Sequence, residues 1–319
     1  MLIKKQFSCL VAALQYAWIG RPDCVLFFGY GVGDDLLCSG VARELKKRGV
    51  KKIVLFSKHP SLFQGNPDIS GVYNWGHPSL GRLQYHGHHC CVLQYGGYDP
   101  KSDRDLYANE HLLTTMCRKA GVTGTIQLHP RIVLSESEKE KGRLFERQAV
   151  IQSTGLGLYK NKDWFPERFQ AVSDLLKSNI NVIQLGLASD PVLAGTLDLR
   201  GKTNLRQSAA ILANAQVFVG QVGFLMHLAR AVNCRSVIVY GGRETPLVSG
   251  YVTNENIVGQ TDCSPCWQRN RCDYDHACMK MIAVEEVYQA ALRQMKKFGQ
   301  PLPVETAEIG NQASLAAKK

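Results

Sequence analysis

Cys24-Val-Leu-Phe-Phe28, Gly29-Tyr-Gly-Val-Gly33, the stretch from Asp34 to Lys47, Gly49, and Lys52-Ile-Val-Leu-Phe56 decide the fold. The two apolar runs are short and rich in β-branched and aromatic residues, as in strands buried on both faces. Between them the glycines form a turn, and Asp34 opens a helix. Asp34 and Asp35 lie in its first turn, where backbone N–H groups favour negative charge, and Lys46-Lys47 close it, where carbonyls favour positive charge. Gly49 stops the helix. Strand, glycine loop, helix and strand in this order open a doubly wound parallel sheet.

Working outward, further strands are expected near 71–74, 90–94 and 131–134, with a helix at about 108–120. Residues 135–147 are charged and poor in apolar side chains, and mark the domain boundary. The alternation then restarts. Strands are expected at 149–152, 181–185, 216–219 and 236–240, and helices at 166–177, 205–213, 224–232 and from about 284. Two α/β domains follow, 1–147 and 148–298, with a tail over 299–319. Both are Rossmann-like and doubly wound, facing across a cleft, and ligands of such sheets sit at the carboxyl ends of the strands.

The 319 residues are 45% hydrophobic and 20% charged, ordinary for globular chains of two domains. No window approaches the ~20 apolar residues of a membrane span. Residues 6–18 read as a leading helix rather than an export signal, because the apolar run Cys9 to Leu14 is short and no small-residue cleavage site follows. A cytoplasmic location is expected. The net charge of +11 suits anionic partners, among them nucleotides and a membrane surface met peripherally, as at the inner membrane. Nucleic acid is not expected, because the basic residues are not interleaved with aromatics.

Several loops carry chemistry. Asp34 stands at a helix start in the expected cleft, as a catalytic carboxylate or a helix cap. Ser153, Thr154 and Lys162 lie in the loop after the first strand of the second half. Hydroxyls and a lysine ahead of a helix suit phosphate, with Lys160 a neighbouring choice; an ordinary exposed loop is the alternative. Gly223 and His227 open another helix, where backbone and imidazole meet a diphosphate, unless His227 is a core residue. Tyr85-His-Gly-His-His-Cys-Cys91 is rich in metal ligands, but they are too crowded for one ion, and the segment is read as a loop.

Cys9, Cys24, Cys38, Cys117 and Cys234 lie in apolar surroundings and read as core residues. Cys263, Cys266, Cys272 and Cys278 are spaced C-x2-C-x5-C-x5-C, and four thiolates in this pattern suit a structural zinc or iron. Two disulfides are the alternative, disfavoured in a reducing compartment.

Taken in order, these segments resemble glycosyltransferase family 9, the bacterial heptosyltransferase family of lipopolysaccharide synthesis. Gly33-Asp34 with Leu36-Leu37, Lys162-x-Trp164-x-Pro166-Glu-Arg-Phe169, Leu199-Arg-Gly-Lys-Thr-Asn-Leu-Arg206, Val219-Gly220 with Met226-His227-Leu228-Ala229, and Tyr240-Gly241-Gly242 with Thr245-Pro246 carry the resemblance. It implies a GT-B fold and metal-independent, inverting transfer of a sugar from a nucleotide donor, an ADP-sugar such as ADP-heptose being favoured. The acceptor is a hydroxyl of a glycan, glycolipid such as lipopolysaccharide, or protein, held mainly by the first domain. The resemblance makes Asp34 the general base and gives the diphosphate to Lys162 and the Gly223–His227 helix start. Asp190 would hold the donor ribose. Similar cysteine segments in relatives support the structural metal. Where the family has Asp-Ser/Thr-Gly, this chain has Val222-Gly223-Phe224, which removes a carboxylate for donor hydroxyls and weakens heptose as the donor sugar. A nucleotide-sugar epimerase or hydrolase, and a non-catalytic binding protein of the same fold, stay open.

Overall fold

The computed structural model describes residues 22–27, 31–74, 90–107, 109–154 and 159–310. The leading helix at 6–18, the histidine-rich loop over 85–89 and the tail beyond 310 lie outside the described residues. The chain forms two compact units. Described residues up to Gln94, with Leu113–Val133 and the stretch from Thr306, make the first; Tyr95–Leu112 and Leu134–Glu305 make the second.

In the first unit, β1 (Cys24–Phe27), β2 (Ile53–Ser57), β3 (Gly71–Asn74) and β4 (Cys90–Val92) form a parallel sheet ordered β3-β2-β1-β4. Register sets Phe27 beside Phe56, whose rings stack at 4.7 Å, and Tyr73 continues the row at 5.4 Å. The helix Val32–Lys47 connects β1 to β2. Its Glu44 is buried because three cations, Arg43, Lys47 and Arg48, meet its carboxylate. Arg43 and Arg48 also donate to carbonyls of Gln127, His129, Thr123 and Thr125, which ties β7 (Gly124–Gln127) to the helix.

The strand expected at 131–134 does not form. The Arg131 N–H donates to Ser39 Oγ at 2.7 Å instead of to a ladder, and the neighbouring Pro130 has no N–H to give. The strand lies earlier, at β7, where it pairs antiparallel with β14 (Thr306–Ile309). Part of the stretch expected as a tail is therefore a strand of the first unit.

The second unit holds a parallel sheet of six strands in the order β10-β9-β8-β11-β12-β13. These are β8 (Gln148–Ile151), β9 (Asn181–Gln184), β10 (Leu197–Asp198), β11 (Phe218–Gln221), β12 (Ser236–Val239) and β13 (Asn254–Ile257). The order reverses between β8 and β11, so loops leaving their carboxyl ends diverge and open a crevice. The helices Pro166–Lys177 and Val284–Lys296 cover one face, burying Phe169, Val172, Leu176, Val287, Ala290 and Ala291 with Val237 and Val239. Each large apolar side chain so buried contributes ~1.5–3 kcal/mol. Residues 135–147 contain the short helix Glu136–Lys141, closed by a Ser135/Glu138 capping box. A hairpin that the sequence pattern did not suggest, β5 (Gly96–Asp99) with β6 (Arg104–Tyr107), belongs to this unit. Its Asp105 is buried between Arg243 and Arg269, and its N–H donates to the Trp267 carbonyl. Among the described residues, no helix is long and apolar enough to cross a membrane.

Candidate functional site

Two of the expected donor residues lie in the segments that follow β8 and β11, the strands at which the order of the six-stranded sheet reverses. Lys162 ends a 3-10 turn, Lys160–Lys162, in the loop after β8. His227 lies on the helix Phe224–Ala231, which begins directly after β11. Trp164 fixes the lysine loop from below: its indole is fully buried against Phe169 at 4.9 Å. Gln221, the last residue of β11, holds the loop from the side. Its Oε1 accepts the Trp164 N–H at 3.0 Å and its Nε2 donates to Asp163 Oδ1 at 2.7 Å.

Lys162 is not an exposed loop lysine. Its side chain keeps 16% of its surface, and its ammonium pairs with Glu244 at 2.7 Å. Glu244 also accepts from Arg243 at 2.5 Å and from Ser249 Oγ at 2.7 Å. Arg243 reaches on to Asp105, and Asp105 to Arg269. The Tyr159 ring lies beneath the three cations, 5.6 Å from Lys162, 5.2 Å from Arg243 and 5.1 Å from Arg269. Burial pushes the Glu244 carboxyl up, but Lys162 and then Arg243 outweigh it and hold it down at about 2. Burial likewise pulls the Lys162 ammonium below its ordinary value, with Glu244 opposing. The result is a desolvated cation held in place by a carboxylate, an arrangement that suits recognition of an anionic group.

His227 is buried, and its Nδ1 lies 2.7 Å from the Tyr251 hydroxyl. Burial pulls the imidazole down to about 3, with His111 and Lys162 adding to the effect, so the ring is neutral at pH 7 and the lysine charge acts upon it. Gly223, just before this helix, is extended, with open space where a Cβ would be, which leaves the backbone approachable.

Ser153 and Asp190 have internal partners. The Ser153 hydroxyl is fully buried, donates to the Pro191 carbonyl at 2.8 Å and accepts from Gln184 Nε2 at 3.0 Å. Asp190 accepts the Leu187 N–H at 2.9 Å and closes the turn over Gly186. Thr154 is partly buried at the end of the described part of its loop. Asp34, in the first unit, is the third residue of its helix and not the N-cap that the sequence offered as one reading; Gly31 holds that position, and Asp34 accepts its N–H at 3.0 Å. Its neighbour Asp35 is buried and accepts from Ser57 Oγ at 2.5 Å, with His59 Nδ1 at 2.8 Å.

Cys263, Cys266, Cys272 and Cys278 are free and line one cavity of about 20 Å³, together with Arg243, His276 and others. Among the described residues, no group of three or more His, Cys, Asp or Glu side chains is arranged to hold an ion. The four thiols are of the chemistry that holds zinc or iron, and they border a shared space of the size of one small occupant. The His276 N–H donates to Cys272 Sγ at 3.3 Å. Asn161 joins this segment to the lysine loop, donating to the Gln268 and Arg271 carbonyls at 3.1 and 2.7 Å. A larger cavity of about 410 Å³ lies beside the Glu138–Arg206 ion pair, lined by Leu197, Leu199 and Ile211, and holds none of the expected site residues.

Sequence reasoning missed Glu244, Gln221, Tyr159 and Tyr251. Only Glu244 left a signal, an Arg-Glu pair in the loop that follows a buried strand.

The model of glycosyltransferase family 9 (heptosyltransferase) matches residues 126–276. No curated protein matches the chain. Among solved structures, the chain is similar to an ADP-heptose LPS heptosyltransferase II from E. coli, at a TM-score of 0.65 and 15% identity over 86% of this chain and 98% of that one. It is also similar to the iron-containing dodecameric glycosyltransferase TibC from enterotoxigenic E. coli H10407, at 0.68 and 16% over 87% and 77%. The TibC complex with ADP-D-β-D-heptose gives 0.65 and 15% over the same shares. The expected α/β fold of GT-B type and the resemblance to a family 9 glycosyltransferase are borne out.

Proposed function

We propose that the chain transfers a sugar from a nucleotide donor to an acceptor hydroxyl with inversion, its donor diphosphate held in the β8–β11 crevice. One observation carries the reading. Lys162 and His227, far apart in sequence, lie in the segments that follow β8 and β11, the two neighbouring strands at which the order of the six-stranded sheet reverses. That is the usual ligand site of such sheets, and a buried ammonium with a neutral imidazole donor suits a leaving diphosphate. Gly223 lets that group approach the backbone, while Ser153, Thr154 and Asp190 shape the adjoining loops. Asp34 is the base of this reading, taking the acceptor proton as oxygen attacks the anomeric carbon. An ADP-sugar is the first donor to try, since ADP-heptose occupies a similar structure. The acceptor class is a glycan, lipopolysaccharide or protein hydroxyl. A cytoplasmic setting, with contact to an anionic membrane through the +11 net charge, completes it.

Titration calorimetry with ADP, and ADP release from ADP-heptose, test the reading. Binding that Lys162→Ala weakens about tenfold or more supports it. Isomerised or hydrolysed donor as the sole product would favour an epimerase or hydrolase, and binding without any turnover a non-catalytic protein.

In this proposal the four cysteines hold one structural zinc or iron, which fastens the segment bearing Gln268 and Arg271 to the lysine loop. Four protein thiolates leave no open position, so no reaction step runs through the metal. Elemental analysis should find about one ion per chain, and Cys266→Ser or a chelator should partly unfold the second unit. Metal-free protein of unchanged melting temperature would sink this assignment.

A further inference from the structure

The phenol of Tyr251 is 1% exposed, and among the described residues its oxygen has one hydrogen-bond partner, Nδ1 of His227 at 2.7 Å. A buried hydroxyl left without an acceptor is costly, so this O–H must donate to that nitrogen. A nitrogen that accepts carries no proton. The neutral imidazole therefore bears its hydrogen on Nε2. The surroundings hold the pair in this geometry. The two rings meet edge to face at 5.7 Å, the Arg230 guanidinium lies 5.7 Å from the Tyr251 ring, and His111 lies against it at 5.4 Å.

We infer that Tyr251 is a positioning residue of the donor site: by donating to Nδ1 it fixes His227 as an Nε2–H donor aimed at a diphosphate oxygen. The inference rests on the reading that His227 meets the donor diphosphate. A neutral ring can present either a donor or a lone pair at Nε2, and a lone pair there would repel a phosphate oxygen. Tyr251 removes that choice before the ligand arrives, which is preorganisation.

The test has two arms on the full chain. Ring ¹⁵N chemical shifts of the wild-type protein read the tautomer of His227 directly. The expected result is a protonated Nε2 and an unprotonated Nδ1, with Tyr251→Phe shifting the ring toward the other tautomer. A wild-type ring protonated at Nδ1 overturns the inference, and this arm needs no variant to fold. The second arm measures ADP affinity by calorimetry for Tyr251→Phe, His227→Ala and the double variant. Each single change should weaken ADP about tenfold, and the double variant should lose no more than either alone. Losses that multiply to about a hundredfold mean that Tyr251 acts apart from His227, and overturn the inference. If His227→Ala binds ADP as the wild type does, the donor reading fails, and the role of Tyr251 falls with it even where the tautomer is as expected. Tyr251→Phe leaving ADP affinity intact while His227→Ala weakens it would refute the positioning role alone.

Discussion

Asp34 and Lys162 were singled out by similar signals, a polar residue in a glycine-containing loop beside a helix start, and the fold treats them in opposite ways. Asp34 is partly exposed and accepts the N–H of Gly31, three residues away. Lys162 is desolvated and held by Glu244, which pairs in turn with Arg243 and through it with Asp105, so the network joins three segments distant in sequence. A local contact at a partly exposed side chain contributes modestly to stability. A long-range buried network makes the same atoms serve the fold and the ligand at once. Substitutions in the two regions should therefore separate activity from stability in one and couple them in the other.

The largest effect is expected in the first region. Asp34→Asn should lower transfer by ~10²–10⁴, the weight of a general base, with ADP affinity and melting temperature close to wild type. Asp35→Asn, one residue on, should do the reverse. It weakens a buried carboxylate that accepts from Ser57 and faces His59, costing ~1–3 kcal/mol of stability. Comparing urea midpoints with rates of ADP release checks both. Equal rates for Asp34→Asn and the wild type would remove Asp34 from the mechanism.

In the second region stability and binding should fall together. Glu244→Ala leaves Lys162 and Arg243 buried beside one carboxylate fewer, and breaking such a pair costs ~3–5 kcal/mol. Lys162→Ala should cost less, because Glu244 keeps Arg243 and Ser249, yet its melting temperature should drop measurably as ADP binding weakens. A Lys162→Ala protein with unchanged melting temperature would show the lysine to be the exposed loop residue that the sequence suggested, and the contrast between the regions would be lost.

The centres of the parallel sheets were legible because strands such as β1, β2 and β12 are continuous apolar runs, whereas the edge strands β10 (Leu197-Asp198) and β13 (Asn254-Glu-Asn-Ile257) are short or polar and were not expected. Lys162 and His227 were legible because each lies just past a central strand. Strand β6 was not, since Arg104-Asp-Leu-Tyr107 carries the charges that its partners neutralise only after folding. Run 131–134 looked like a strand because Ile132-Val-Leu134 is apolar, and Ile132 and Leu134 are indeed buried, but burial alone does not provide a pairing partner. Glu244, Tyr251 and Gln221 matter through contacts between residues distant in sequence, which periodicity does not encode. Ser153 and Asp190 had the right chemistry in the right loops, and the atoms they meet turn out to be Pro191, Gln184 and Leu187.

A last effect is a pH dependence that the buried histidines of the second region bring. Burial holds His111 down at about 4 and His227 at about 3, both below the 6.5 of an exposed imidazole. Between those values the unfolded chain binds protons that the folded one refuses, so stability is fully present above pH 6.5 and falls as pH drops. Each histidine contributes a slope of about 1.4 kcal/mol per pH unit once its unfolded form is protonated. Glu244 enters later: its carboxyl, depressed to about 2 from 4.5, supplies stability that is present above pH 4.5 and lost toward pH 2. The window from pH 6.5 to 4.5 therefore isolates the histidines from Glu244. Melting curves across it should slope downward with acidification, and His111→Gln should flatten the slope without touching the lysine network. An unchanged slope in that variant would mean that His111 takes up its proton in the folded protein, and that the chamber around Tyr251 is wetter than its burial implies.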